Sequence, residues 1–215
     1  MMHRFITFEG IDGCGKTTQL QRTADWLTSQ GYEVSVTREP GDTPLGAEIR
    51  HLLLAGEYAP VAEAELLLFL ADRAQHVRQY IQPALAAGQV VLCDRYTDST
   101  RAYQMAARRL ADDADLSALL AFAECGLQPG LTLWFDLSLA EASRRMQQRE
   151  AGGAQATRLD QERQVFHQRV ATAFADLQRQ QPQRIQRVDA AAPIEEVQQQ
   201  VRTVLSLHLA QQTCT

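Results

Sequence analysis

Asparagine does not occur in this chain, and lysine occurs once, at Lys16. Together these absences remove the Asn-Lys-x-Asp element with which GTP-dependent switch proteins read guanine. Cysteine is sparse: Cys14, Cys93, Cys125 and Cys214 stand far apart with no C-x-x-C pair, which suits reduced thiols rather than a disulfide frame. His3, His51, His76, His167 and His208 lack zinc-ligand spacing, so no structural metal is expected. No apolar run approaches the ~20 residues that span a bilayer. The first strand starts within three residues of the N-terminus, leaving no room for a signal peptide, and a cytoplasmic chain with no membrane partner is expected. A broad basic tract is missing too. With a net charge of -5 and a pI near 5.5, no general attraction to nucleic acid is expected, and each arginine has to be judged locally.

What is present is organised around Phe8-Glu9-Gly10-Ile11-Asp12-Gly13-Cys14-Gly15-Lys16-Thr17-Thr18, which contains the G-x-x-x-x-G-K-T spacing of a phosphate-binding loop. Glycines at this spacing let successive backbone N–H groups turn inward onto polyphosphate oxygens. Lys16 can then reach the β- and γ-phosphates, the Thr17 hydroxyl suits Mg²⁺, and the helix starting here adds its positive end. A β-rich run over 4–8 and helical composition over 18–29 supply the strand-loop-helix order, which argues against a chance glycine turn. A chain that otherwise uses arginine for its cationic side chains still places its one lysine here. Cys14 reads either as a small residue filling a variable position of the loop or, because it is a thiol in an anion-attracting loop at a helix N-terminus, as a thiol of lowered pKa.

At 215 residues the chain suits a single α/β domain over 1–215. Further strands are predicted over 33–37, 89–94, 131–137 and 184–188. Helices are predicted over 44–54 (opened by Thr43-Pro44, broken at Gly56), 61–87 (with Pro83 as a kink), 98–110, 116–125, 139–149, 159–180 and 194–209. Strands interleaved with helices give a doubly wound five-stranded parallel sheet with flanking helices. Ligands gather at the carboxyl ends of such strands, where Arg38 and Asp94 fall. Asp94 ends an apolar strand, the position from which a carboxylate holds Mg²⁺ or its waters. Phe69 and Arg73, four apart, share a helix face, as a core stripe or a binding surface. Gly152-Gly153 and the small residues around them make 150–157 a mobile loop.

These blocks resemble the thymidylate kinase family nearly end to end. The likeness is carried by the loop through Gln19, by Thr37-Arg38-Glu39-Pro40-Gly41, Phe69 with Arg73, Asp94-Arg95-Tyr96, Ser99-Thr100, Ala102-Tyr103-Gln104 and Val188-Asp189-Ala190. The resemblance implies a P-loop NTPase-type fold with a short lid near 145–160, and phosphorylation of dTMP to dTDP by ATP and Mg²⁺ in dTTP biosynthesis. It implies further that the enzyme is a homodimer, built here on the long apolar helix from Val61 onward.

It also implies roles. Gly10 through Thr18 and Arg145 would bind ATP, and Thr17 and Asp94 the metal. Asp12 would accept from the region of the acceptor's 3′-hydroxyl, and Arg38 and Arg95 would hold its 5′-phosphate. Phe69 would stack on thymine, Arg73 would donate to a base carbonyl, Thr100 and Gln104 would contact the base edge, and Tyr103 would disfavour ribose. The Glu39-Pro40 peptide would be cis. The loop carries no basic residue at 11–14, as in the bacterial branch that takes its catalytic arginine from the lid; Arg149, with Arg158 as partner, is expected to join Lys16, Asp12 and Arg95 in catalysis. The lid departs from the frequent Asp-Arg-aromatic-Glu in reading Thr157-Arg158-Leu159-Asp160. The nearest alternative is another P-loop nucleoside monophosphate kinase; a switch protein is opposed by the missing asparagine.

Overall fold

The computed structural model describes residues 2–55, 57–110, 114–153 and 156–210. The helix stop at Gly56, part of the loop over 150–157, and Cys214 lie outside them. Five strands, β1 (Phe5–Glu9), β2 (Val34–Arg38), β3 (Val90–Asp94), β4 (Leu131–Asp136) and β5 (Ile185–Asp189), pair in parallel in the order β2-β3-β1-β4-β5. This is the expected sheet. The three inner strands, β3, β1 and β4, are buried and mainly apolar because both faces are covered, whereas the outer strands β2 and β5 mix apolar with polar residues. The pleat divides β3: Val90 and Leu92 enter the main core, Val91 and Cys93 a second cluster with Phe5, Val77 and Ile81.

The connecting helices are α1 (Lys16–Ser29), α2 (Pro44–Leu54), α3 (Ala62–His76), α4 (Gln82–Ala86), α5 (Thr97–Thr100), α6 (Ala114–Ala123), α7 (Leu139–Ala151), α8 (Gln164–Gln180) and α9 (Ile194–Ala210). Thr43 caps α2 by accepting from the Gly46 amide, with Pro44 in its first turn, as the sequence predicts. Three predicted helices differ from those observed. The helix over 61–87 is α3, a π turn at Val77–Ile81, then α4: Pro83 has no N–H to direct at residue 79, and the hydrogen-bond register widens just before it. The helix over 98–110 is the single turn α5 followed by a π segment, Arg101–Ala107. The helix expected from 159 begins at Gln164, because Asp160 folds back to accept from the backbone and the hydroxyl of Thr157, both at 2.8 Å, and holds that segment as a turn.

Where β1 ends, buried Glu9 accepts from the Tyr96 amide at 2.7 Å, the Ser99 amide at 3.3 Å and the Ser99 hydroxyl at 2.6 Å. It thereby ties the first strand to the turn after β3. Asp98, beside it, takes two bonds from Arg184 at 2.7 and 2.8 Å and one from the Thr132 hydroxyl at 3.0 Å, which links that turn to β4 and to the start of β5. Burial, and then the negative charge of Asp98, push the Glu9 carboxyl up to about 7 from an ordinary 4.5. The folded chain therefore holds this proton more tightly than the unfolded chain does. The resulting stability is complete below about pH 4.5 and is lost as pH rises through about 7. Urea unfolding of wild type and Glu9→Gln across that range should show wild type losing on the order of 1–3 kcal/mol relative to the variant between about pH 5 and 7.5. A wild-type-minus-variant difference that does not change with pH contradicts this.

Candidate active site

The phosphate-binding loop is shaped by positions that admit no side chain. Gly10 has φ +142° and a Cβ there would stand 2.6 Å from the Phe135 carbonyl oxygen; at Gly13 (φ +81°) it would stand 2.7 Å from that of Ala142. The loop closes around its lysine. Lys16 Nζ donates to the Gly10 and Ile11 carbonyls, each at 3.0 Å, and the side chain is only 5 % exposed, where the motif alone suggests an exposed cation. Its ammonium is thus fixed by the backbone that is shaped for phosphate. Cys14 is also buried, and burial pushes its thiol up against the opposing pull of Lys16. The lowered pKa expected from loop position is therefore reversed, because desolvation of the thiolate outweighs the nearby positive charge.

Beyond the loop lies a cavity of about 880 Å³. At its floor Arg95 donates to Asp12 at 2.7 Å and to the Ser99 hydroxyl at 2.9 Å, and the Tyr103 hydroxyl donates to the other Asp12 oxygen at 3.1 Å. Burial alone would raise the Asp12 carboxyl, but Arg95 and Lys16 hold it well below the usual carboxylate range. Tyr103 is held as a phenol, its pKa raised by burial and by Asp12. Arg95 has φ +73°, a conformation L-residues rarely adopt, stabilised by its amide bond to the Phe8 carbonyl at 3.0 Å. Beside it the Thr17 hydroxyl donates to Asp94 at 2.8 Å, bringing together two oxygen ligands of the kind a hard divalent cation selects.

The wall opposite carries Phe69, half-buried, and Arg73, 1 % exposed. Arg73 gives Nε (2.9 Å) and Nη2 (2.7 Å) to Glu39, gives Nη1 to the Thr100 hydroxyl at 2.9 Å, and lies over the Tyr96 ring. Burial would raise the Glu39 carboxyl, but Arg73 and His76 hold it low, and the His76 ring is set between Glu39 and Thr37. The Glu39-Pro40 peptide is cis. The π segment presents Tyr103 and Gln104 to the same cavity. Arg38 is at the rim, exposed and beside Asp42.

The lid arginines separate. Arg145 is held by Glu141 and the Ala190 carbonyl at the end of the cavity near Ala192 and Ile194. Arg149 also lines the cavity; it is exposed, and its side chain has no hydrogen-bond or ion-pair partner among the described residues. Arg158 is turned away from the cavity, onto Glu65, Glu162 and the Leu53 carbonyl. Of the remaining sequence candidates, Gly15 and Thr18 line the cavity, while Gly10 and Ile11 form its supporting backbone. Sequence reasoning missed Arg50, a further cavity cation that donates to the Pro40 carbonyl at 2.8 Å, and Ser99, which relays Glu9 to Arg95. Ser99 was within reach as part of a quoted motif; Arg50 sits in an ordinary amphipathic helix and gave no signal.

The thymidylate kinase family model matches residues 8–201. A Nostoc punctiforme thymidylate kinase is 46% identical over 208 residues, covering 96% of this chain and 97% of that protein. One from a Synechococcus strain is 49% identical over 210 residues, with 94% and 95% covered. Among solved structures, thymidylate kinase from Ehrlichia chaffeensis superposes with a TM-score of 0.74 at 32% identity, covering 94% of this chain and 97% of that one. With the family model spanning nearly the whole chain and relatives alike from end to end, the chain belongs to the thymidylate kinase family.

Proposed function

We propose that this chain transfers the γ-phosphoryl of ATP to dTMP, giving dTDP for dTTP synthesis. The observation that carries the reading is the Asp12–Arg95–Tyr103 cluster, seated between the phosphate-binding loop and the Phe69–Arg73 wall in one cavity. Gly10 through Thr18 would hold the donor's phosphates, with Arg145 toward its base. Thr17 and Asp94 suit Mg²⁺, which when bound would neutralise charge on the donor's phosphates.

The protein's own residues would do the rest. Arg95 and Arg38, with Arg50 close by, hold the acceptor phosphate and offset the crowding of oxygens as the groups meet. Asp12, kept ionised, accepts from the acceptor sugar's 3′-hydroxyl region, and Tyr103 closes the space beside its 2′ position. Phe69 stacks on the base and Arg73, locked by Glu39, donates to its carbonyl; a locked donor loses little freedom on binding. Arg149, whose guanidinium has no partner among the described residues, is the lid arginine that reaches the migrating phosphoryl, whereas Arg158 serves to anchor the lid. The unit acts as one kinase domain with its lid over 145–160. It works in the cytoplasm as a homodimer through α3 and α6, where Val61, Leu67 and Phe122 stand exposed.

ADP release with ATP and Mg²⁺, run in parallel against dTMP, dUMP, UMP, AMP and GMP, tests the reading: dTMP should be used best, and turnover with AMP alone overturns it. Lys16→Ala should abolish transfer while circular dichroism and melting show a folded chain; near-normal turnover removes the loop from the donor site. Phe69→Ala should weaken dTMP binding by about 1–3 kcal/mol with ATP binding unchanged, by calorimetry. Arg149→Ala should lower kcat by ~10³ or more with little change in either KM, the sign of a contact made in the transition state; wild-type kcat would leave the charge to Lys16, Arg38 and Arg95.

A further inference from the structure

Glu65, on α3, is fully buried and is the meeting point of three donors from elsewhere in the chain. Gln104 Nε2 donates to it at 2.9 Å, Arg108 gives it Nε and Nη2, both at 3.1 Å, and Arg158 of the lid gives it Nη2. Glu162 completes the cluster by pairing with Arg108 at 2.5 Å. Arg158 is further held by its Nε on the Leu53 carbonyl at 3.0 Å and its amide on the Leu54 carbonyl at 3.2 Å. Burial would raise the Glu65 carboxyl, but hydrogen bonds from Arg108, Gln104 and Arg158 hold it low, so it stays an anion and can only accept.

An acceptor-only neighbour decides a question that shape leaves open. The oxygen and nitrogen of a glutamine amide are nearly alike in size, and either could face a ligand. Gln104 is 2 % exposed and lines the cavity one helical turn beyond Thr100. With its NH₂ bound to a carboxylate, its carbonyl oxygen is the end left for the ligand. A flip would set oxygen against carboxylate in a buried place, which is costly.

We propose that Glu65 is a specificity-determining positioning residue, which holds the Gln104 carbonyl toward the acceptor base so that the cavity favours a pyrimidine with N–H at ring position 3 over cytosine, which has a bare nitrogen there. The proposal rests on the dTMP kinase reading and adds to it a residue that the substrate never touches. Because Arg158 binds the same carboxylate, a docked lid and an oriented base pocket share one buried anion.

The test compares kcat/KM for dTMP and dCMP in wild type, Glu65→Gln, Glu65→Asp and Gln104→Leu. A glutamine at 65 can donate as well as accept, so it releases the Gln104 amide to turn over. Glu65→Gln should reduce the dTMP-to-dCMP preference by roughly tenfold or more, since a pocket that pairs a base hydrogen bond loses discrimination when that partner is misplaced. Glu65→Asp, still acceptor-only, should retain most of the preference, KM for ATP should be unchanged throughout, and Gln104→Leu should match Glu65→Gln. A purely structural role would lower both substrates' kcat/KM equally. The proposal is overturned if folded Glu65→Gln, or Gln104→Leu should Glu65→Gln not fold, keeps the wild-type preference. Failure of the underlying reading is separate: it appears as a wild-type enzyme that does not use dTMP.

Discussion

The ion pair between Arg95 and Asp12, 2.7 Å at the cavity floor, is the interaction on which the site depends. It gathers opposite charges from two separate segments, the phosphate-binding loop after β1 and the turn after β3. Neither charge is left unopposed, which low-dielectric surroundings would punish. Arg95 reaches Asp12 only from a left-handed backbone, and the strain is held by the bonds around it. Its amide goes to Phe8, its neighbours Tyr96 and Ser99 go to buried Glu9, and Ser99 returns a bond to the guanidinium. A carboxylate buried at the carboxyl end of the central strand thus controls where a positive charge stands in the cavity.

A second buried carboxylate repeats the arrangement on the base side. Glu39 fixes Arg73 and His76, and Arg73 in turn engages Thr100, so a guanidinium facing the cavity has little freedom left. Glu65 does likewise for Gln104. In each case a negative group out of solvent orients a donor or an amide that a ligand would meet, and orientation before binding lowers the entropy that binding must overcome. Arg149 is the contrasting case. Its guanidinium has no partner among the described residues and stands at the end of α7, beside the glycines of the lid.

The parallel sheet was legible because each strand is a short run, apolar in β1, β3 and β4 and alternating in β2 and β5, that ends on a charged residue, and the loop because glycine spacing there is dictated by backbone geometry. Asp12, Arg95 and Tyr103 were legible as separate site candidates through motifs and resemblance, but the bonds that join them were not. What could not be read was the company each residue keeps. Lys16 is buried by its own loop's carbonyls, Cys14 is governed by desolvation rather than by the helix end, and Glu9, Glu65 and Arg50 act through neighbours distant in sequence. Arg158 stood beside Arg149 as a candidate for the same task, and its pairing with Glu65 comes from the fold alone. The π segment at Arg101–Ala107 has no composition that separates it from an ordinary helix, yet it sets where Tyr103 and Gln104 point.

The central claim is that donor and acceptor phosphates meet between Lys16 and the Asp12–Arg95 pair. A crystal structure with dTMP and a non-hydrolysable ATP analogue bound together tests it most directly. The account predicts the acceptor 5′-phosphate within hydrogen-bonding distance of Arg95, facing a terminal donor phosphate held by the loop and Lys16, with thymine on Phe69. A dTMP phosphate bound away from Arg95, or a donor whose terminal phosphate lies outside the loop, would contradict it.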